Sequence, residues 1–192
     1  MNPMPFSLDT QEKQFLLKLA RESILNYLHK NNTISSDFFS ENLKIHSGAF
    51  VTLHKQGQLR GCIGYVKAFK PLQEAITELA ISAAFNDPRF PELSLQEYEQ
   101  IDLELSVLTP LERVEDISQI EIGRDGLLIK NGYYEGLLLP QVATEYGWDV
   151  NTFLQQTCNK AGLPIDSWKD EQTEIFSFSA IIFDESQFPN SD

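Results

Sequence analysis

Ala49-Phe50-Val51-Thr52-Leu53-His54-Lys55-Gln56-Gly57-Gln58-Leu59-Arg60-Gly61-Cys62-Ile63-Gly64-Tyr65-Val66 reads as two strands, 49–54 and 59–66. Gln56-Gly57 stands at the tip between them, as a tight hairpin turn requires. A two-residue loop pairs Lys55 with Gln58, His54 with Leu59 and Val51 with Cys62. Side chains of paired residues share a face, and faces alternate along a strand. In this register His54 lies with Leu59, Gly61 and Ile63, whereas Arg60 and Cys62 face the other way. A Cys62–His54 dyad is then disfavoured. A three-residue loop or a bulge would reverse that arrangement, and Arg60 and Cys62 stay on one face unless the bulge falls between them.

The flanking elements follow from periodicity. Upstream, Asp9 and Glu12 have capping-box spacing, and Phe15, Leu16, Leu19, Ala20, Ile24, Tyr27 and Leu28 recur at helical spacing. This predicts a helix over about 9–30, stopped by Asn31-Asn32. Downstream, Pro71 opens a second helix at a tolerated first-turn position. Its apolar set is Leu72, Ala75, Ile76, Leu79, Ala83 and Ala84, and it ends before Asn86-Asp87-Pro88. Ile101, Leu103, Leu105 and Val107 alternate with Asp102, Glu104 and Ser106, the pattern of a half-buried strand. Residues 127–130 and 133–139 flank Asn131-Gly132 as a second hairpin. A short helix follows Pro140, a helix over 150–161 starts at the N-cap Asp149 and stops at Gly162, and a last strand spans about 173–184. Helices and strands mix without regular βαβ alternation, which predicts an α+β fold with largely antiparallel sheet. No linker or repeat splits the 192 residues, so a single domain is expected, with its core over about 10–185.

The net charge is −13. Such a surface repels phosphate backbones, so general nucleic-acid binding is disfavoured. No stretch approaches the ~20 apolar residues of a membrane helix, and the opening Met1–Pro5 lacks the features of a secretory signal. Two cysteines make no disulfide framework, which points to the cytoplasm. Nucleotide-binding glycine fingerprints and short zinc-ligand patterns are absent, so neither a cofactor nor a metal site is expected.

Chemistry concentrates at Leu59-Arg60-Gly61-Cys62-Ile63-Gly64. Glycines inside a strand mark a bulge or a close approach. Arg60 offers a planar fork for a carboxylate or phosphate. Cys62 is a nucleophile if its surroundings favour the thiolate. The structural alternative is that Gly61 and Gly64 relieve packing and Cys62 is a small buried hydrophobe. Asp87-Pro88-Arg89-Phe90-Pro91 is a stiff loop that either presents Asp87 and Arg89 to a ligand or terminates a helix. Asp102 and Glu104 share a strand face, as an acid–base pair or as solvated surface. Gly123-Arg124-Asp125-Gly126 reads as an anion cradle or, more simply, a turn. Cys158 falls among core positions behind Phe153 and Leu154.

At Leu59–Gly64 the chain resembles the AMMECR domain family. Ala49-Phe50 and Gly57 precede the segment at family-like spacing, and Asp87-Pro88-Arg89-Phe90 follows it. Ser106-Val107-Leu108-Thr109-Pro110, Gly136-Leu137-Leu138-Leu139-Pro140-Gln141-Val142, Trp148-Asp149, Cys158-Asn159-Lys160-Ala161-Gly162-Leu163-Pro164 and Trp168 continue in family order. One departure is Glu135, where a basic or small residue often stands. The resemblance implies one α+β unit with a larger and a smaller lobe, the larger combining both chain ends, and the signature near a groove between them. It implies association with Memo-type and radical-SAM proteins but no established reaction. Two functions remain open. One is an accessory module docking such a partner. The other is a cysteine-dependent enzyme, or a binder of an anionic small molecule, in which Cys62 is the nucleophile or redox thiol, Arg60 with Arg89 binds the anionic group beside Asp87, and His46, Glu104 or a partner residue has to serve as the general base.

Overall fold

The computed structural model describes residues 6–30 and 38–188. The expected helix stop at Asn31-Asn32 and the opening Met1–Pro5 lie outside the described residues. The chain divides into two compact units, one combining Met1–Leu108 with Ile181–Asp192, the other Thr109–Ala180.

In the first unit, helix α1 runs Thr10–Leu28. It starts where the capping box predicts: Asp9 accepts the Glu12 N–H and Glu12 accepts the Asp9 N–H, both at 2.8 Å. Its buried stripe, Leu16, Leu17, Leu19, Ala20 and Ile24, packs on α2, Leu72–Phe85. Pro71 is the residue before α2 rather than within its first turn. Its fixed φ suits that place equally well.

Both helices cover one face of an antiparallel sheet. Strand β1, Ala49–Lys55, lies between β2, Gln58–Tyr65, and β3, Ile101–Leu108, with β2 at the edge. The core is where these layers meet: Val51, Leu53, Leu103, Leu105, Leu72 and Ile76 are fully buried. A one-turn helix α3, Leu95–Tyr98, precedes β3 and is not foreshadowed by periodicity.

In the second unit, strands β4 (Glu112–Arg113), β5 (Asp125–Asn131), β6 (Tyr134–Leu138) and the first part of β7 (Glu174–Asp184) are ordered β4-β7-β5-β6. Helix α4 spans Pro140–Glu145, and α5, Val150–Lys160, packs on the hairpin. Its core holds Leu127, Ile129, Phe153, Leu154 and Cys158. The β5–β6 tip is displaced by one residue from expectation. Asn131 pairs with Tyr134, so Gly132 and Tyr133 form the turn. Gly132, at φ +58°, takes the first central position that demands a left-handed residue. Both units are α+β with antiparallel pairing, as the sequence implies.

Candidate functional site

The β1–β2 hairpin turns at Gln56 (φ +54°) and Gly57 (φ +74°), and Lys55 pairs with Gln58 and His54 with Leu59 as expected. The register then shifts between Leu53 and His54. Leu53 opposes Gly61 and Thr52 opposes Cys62, leaving Arg60 as the extra residue of a bulge. This corrects the regular hairpin. Gly61, Ile63 and Tyr65 face the helices, and Cys62 and Gly64 share the opposite face with Thr52, Phe50 and His54. Arg60 and Cys62 therefore part company.

Arg60 turns toward the helix side and is buried, 7% exposed. Its Nε and Nη2 donate to the two carboxylate oxygens of Glu97 at 3.1 and 3.0 Å, and Nη2 also donates to the Pro91 carbonyl at 2.9 Å. Its Nη1 is buried without a hydrogen bond. Lys55 Nζ reaches the same Glu97 carboxylate at 3.1 Å. The Arg60 guanidinium, joined by Lys55, lowers the Glu97 carboxyl to about 2 against the opposing effect of burial. Glu97 is not among the candidates drawn from the sequence. A signal is nonetheless present: Ser94-Leu95-Gln96-Glu97 has capping-box spacing, and both halves of the box form around α3.

Gly61 is explained by close approach. A Cβ there would lie 2.2 Å from the Ala83 carbonyl oxygen of α2. Gly64 is roofed by the Phe50 ring, 2.1 Å from where a Cβ would stand. Packing thus accounts for both glycines.

The Asp87–Arg89 loop closes the outer edge of β2. Asp87 Oδ2 accepts the Cys62 peptide N–H at 2.9 Å, and Arg89 Nη2 donates to the Cys62 carbonyl at 3.1 Å. Arg89 also grips Asp87 through Nε and Nη2, at 2.9 and 2.7 Å. The Arg89 guanidinium, helped by the two peptide N–H donors, holds the Asp87 carboxyl well below the usual carboxylate range. Asp87 is buried while Arg89 is 54% exposed at its side chain. Together they supply the donor and acceptor that a neighbouring strand would have given.

On the face opposite the helices, cross-strand pairing lines up polar groups. Cys62, Thr52 and Glu104 stand side by side on β2, β1 and β3, and His54 stands opposite Asp102 one row along. Thr52 Oγ1 donates to Cys62 Sγ at 3.3 Å. Cys62, Thr52, His54 and Glu104 are half-buried and Asp102 is exposed. The shared face of Asp102 and Glu104 is as the alternation predicts. Thr52 escapes sequence reading because a threonine in a strand carries no signal until the register is known.

The remaining candidates lie elsewhere. Asp125 accepts the Glu121 N–H at 2.9 Å and Arg124 forks onto Asp125, so Gly123–Gly126 closes on its own carboxylate as a turn. Cys158 is fully buried and burial raises its thiol pKa. Glu135 opposes Lys130 across the β5–β6 ladder, 3.7 Å away. Among the described residues no group of three or more His, Cys, Asp or Glu is placed to hold a metal ion. Among those residues no helix is long and apolar enough to cross a membrane.

This arrangement, a bulged edge strand carrying Arg60-Gly61-Cys62 and closed by Asp87 and Arg89, belongs to a chain that the AMMECR1 family profile matches over residues 17–183. The chain belongs to the AMMECR1 family. A protein of Methanothermobacter thermautotrophicus is 46% identical over 96% of this chain and 99% of its own. Protein MJ0810 of Methanocaldococcus jannaschii is 46% identical over 93% and 92%. Among solved structures, the crystal structure of uncharacterized protein PH0010 from Pyrococcus horikoshii superposes with a TM-score of 0.66 at 44% identity, covering 88% of this chain and 89% of that one. The AMMECR1 family match extends over both units of the fold.

Proposed function

We propose that this AMMECR1-family chain is an accessory, protein-binding module of the cytoplasm, working with Memo-type and radical-SAM partners. One observation supports this reading above the alternative of an anion-binding enzyme. The charged groups of the signature region are engaged with one another and with the backbone: Arg60 with Glu97 and Pro91, Asp87 with Arg89 and the Cys62 peptide. Charges used this way fix the shape of an edge strand. An arginine poised for an anionic substrate would keep its fork open, since the geometric match to a carboxylate or phosphate is what makes the residue useful there. Rigid presentation of a surface is what a docking module needs, because a preorganised partner loses less freedom on binding.

The test is association of the purified chain with a Memo-type and a radical-SAM protein from the same genome, by sedimentation velocity and calorimetry. A defined-stoichiometry complex with a dissociation constant in the micromolar range or tighter is expected. Absence of any complex with either protein, or of the three together, at about 100 μM would reject the reading, because such weakness corresponds to less than ~5.5 kcal/mol of binding.

A further inference from the structure

The helix layer of the first unit carries a groove away from the β2 edge. Phe15 and Leu19 of α1 form one wall, and Thr77 and Ile81 of α2 the facing one, with Glu74 and Glu78 beside them and Lys70 at one end. The space between the walls is about 570 Å³. Two helices bound it, so it is an open trough rather than an enclosed pocket. Glu74 and Glu78 are exposed and one helical turn apart. Lys70 forms an ion pair with Glu78, whereas Glu74 makes no hydrogen bond or ion pair among the described residues. The Tyr65 hydroxyl lies near enough to Lys70, Glu74 and Glu78 to feel their charges, and it is buried without a hydrogen-bond partner. Such an atom calls for an explanation. Phe69, 66% exposed, packs edge-on against Tyr65 at 5.6 Å. At the other end Phe85 follows Ile81 by one turn, and its ring meets that of the exposed Tyr27 at 4.4 Å. Exposed aromatic rings continuing an apolar groove mark an interaction surface.

We propose that this groove docks a basic amphipathic helix of a partner protein, with apolar residues at i, i+3 or i+4 and i+7 on its floor and a Lys or Arg on Glu74. The inference rests on the accessory-module reading and names the surface that such a module uses. Three features select this occupant. The walls are helices, whose backbone groups are paired along their length, so they offer side chains to a helix and no edge to a strand. From Gln73 to Ile81 the α2 wall is about 12 Å long, and anchors at i and i+7 of a docked helix span about 10.5 Å. The lining carries two carboxylates against one lysine, on a chain of net charge −13. A basic helix is therefore attracted and an acidic one repelled, and a second copy of this acidic chain is a poor occupant. The cation of the docked helix pairs with Glu74, the carboxylate that has no ion pair of its own. A polar side chain beside it gives the Tyr65 hydroxyl the partner it lacks.

The experiment selects a phage-displayed library of random peptides, about 16 residues long, on the full chain, with Thr77→Arg as the counter-selection because it fills the floor. Near-native circular dichroism and Tm are required of every variant, and the exposed Glu74→Lys carries the test if Thr77→Arg does not fold. Enrichment of Lys- and Arg-rich sequences with apolar residues at helical spacing is expected. Calorimetry of the selected peptides should show binding weakened about ten-fold or more by Thr77→Arg and about five-fold by Glu74→Lys, and unchanged by Glu171→Lys in the second unit. Selected peptides that are acidic, that lack helical spacing, or that bind both groove variants as well as the unaltered chain overturn the proposal. So does a dimer in sedimentation velocity that Thr77→Arg dissociates, because the occupant is then a second copy. The same variants keep this inference distinct from the accessory reading. A Memo-type or radical-SAM protein that binds the unaltered chain and both groove variants equally rejects the groove and leaves the accessory reading standing. Peptides that select as expected, with no binding of either protein, support the groove and reject that reading.

Discussion

The buried carboxylate of Asp87 accepts the peptide N–H of Cys62 at 2.9 Å, across a sequence separation of 25 residues. An edge strand ordinarily presents such groups to solvent or to another chain. Here a loop after α2 satisfies them. Asp87→Ala leaves the Cys62 N–H without its acceptor and releases Arg89 from its brace. The expected loss is about 1–3 kcal/mol, the cost of an unmade buried hydrogen bond. Urea unfolding measures the global loss. Hydrogen exchange at the Cys62 amide gives the local signature: protection there should fall more than at Thr52. Asp87→Asn, which keeps an acceptor, should lose less.

The same carboxylates predict the acid limb of stability. The guanidinium of Arg89 depresses Asp87, and that of Arg60 lowers Glu97 to about 2. A carboxyl whose folded pKa lies below its unfolded value of ~4 adds stability above that value. The contribution is lost as pH falls through the folded pKa. Stability should therefore decline from about pH 4.5 downward and keep falling to about pH 2. In Glu97→Gln the acid limb should be shallower, with lower stability at pH 7. Chemical denaturation at stepped pH checks this. An acid limb of unchanged slope in that variant would remove Glu97 from the account.

Gly61 should resist substitution more than Gly57, although both are in one hairpin. A Cβ at Gly61 meets the Ala83 carbonyl at 2.2 Å, and that atom is helix backbone. Relief requires moving α2 or the edge strand, so Gly61→Ala should cost at least the ~1–3 kcal/mol typical of overpacking. At Gly57 nothing lies within 4 Å of an added Cβ, and the constraint is φ +74° alone. Asparagine tolerates that region, so Gly57→Asn should cost a few tenths of a kcal/mol to about 1. Thermal melts of the two variants decide the order.

These relationships were unevenly legible in the sequence. The start of α1 could be read because Asp9 and Glu12 act on backbone groups three residues away, and local chemistry is written locally. The burial of β3 could be read because alternation of Leu103 and Leu105 with Asp102 and Glu104 follows directly from the pleat. The faces of β2 could not be read. A single extra residue at Arg60 inverts every side chain beyond it, and whether a strand bulges depends on what packs against it. Here that neighbour is the Ala83 carbonyl, 22 residues later in the chain. Two glycines in one strand announced an irregularity without giving its position. Arg60 misled for a related reason. A guanidinium in a motif reads as a binding group until its partner is known, and Glu97 lies in a four-residue helix too short to show periodicity.

Arg60 supplies the last prediction, and it separates a bracing residue from a ligand-binding one. The pair with Glu97 is bidentate, and the Arg60 side chain is 8% exposed. Removing one member of a buried pair typically costs about 3–5 kcal/mol, because the other charge is left desolvated. Lys55 also contacts Glu97 at 3.1 Å and continues to neutralise it, so Arg60→Ala should fall at the lower end of that range. Arg60→Met with Glu97→Met replaces both charges by apolar volume and should recover most of the loss. A double-mutant cycle built from urea midpoints measures the coupling, which for contacting residues falls at about 0.5–3 kcal/mol. Coupling near zero would mean that the Arg60 fork is not fixed by Glu97 and is available to an outside anion. Coupling of a kilocalorie or more, with partner association intact in the double variant, would make Arg60 a brace for the edge strand.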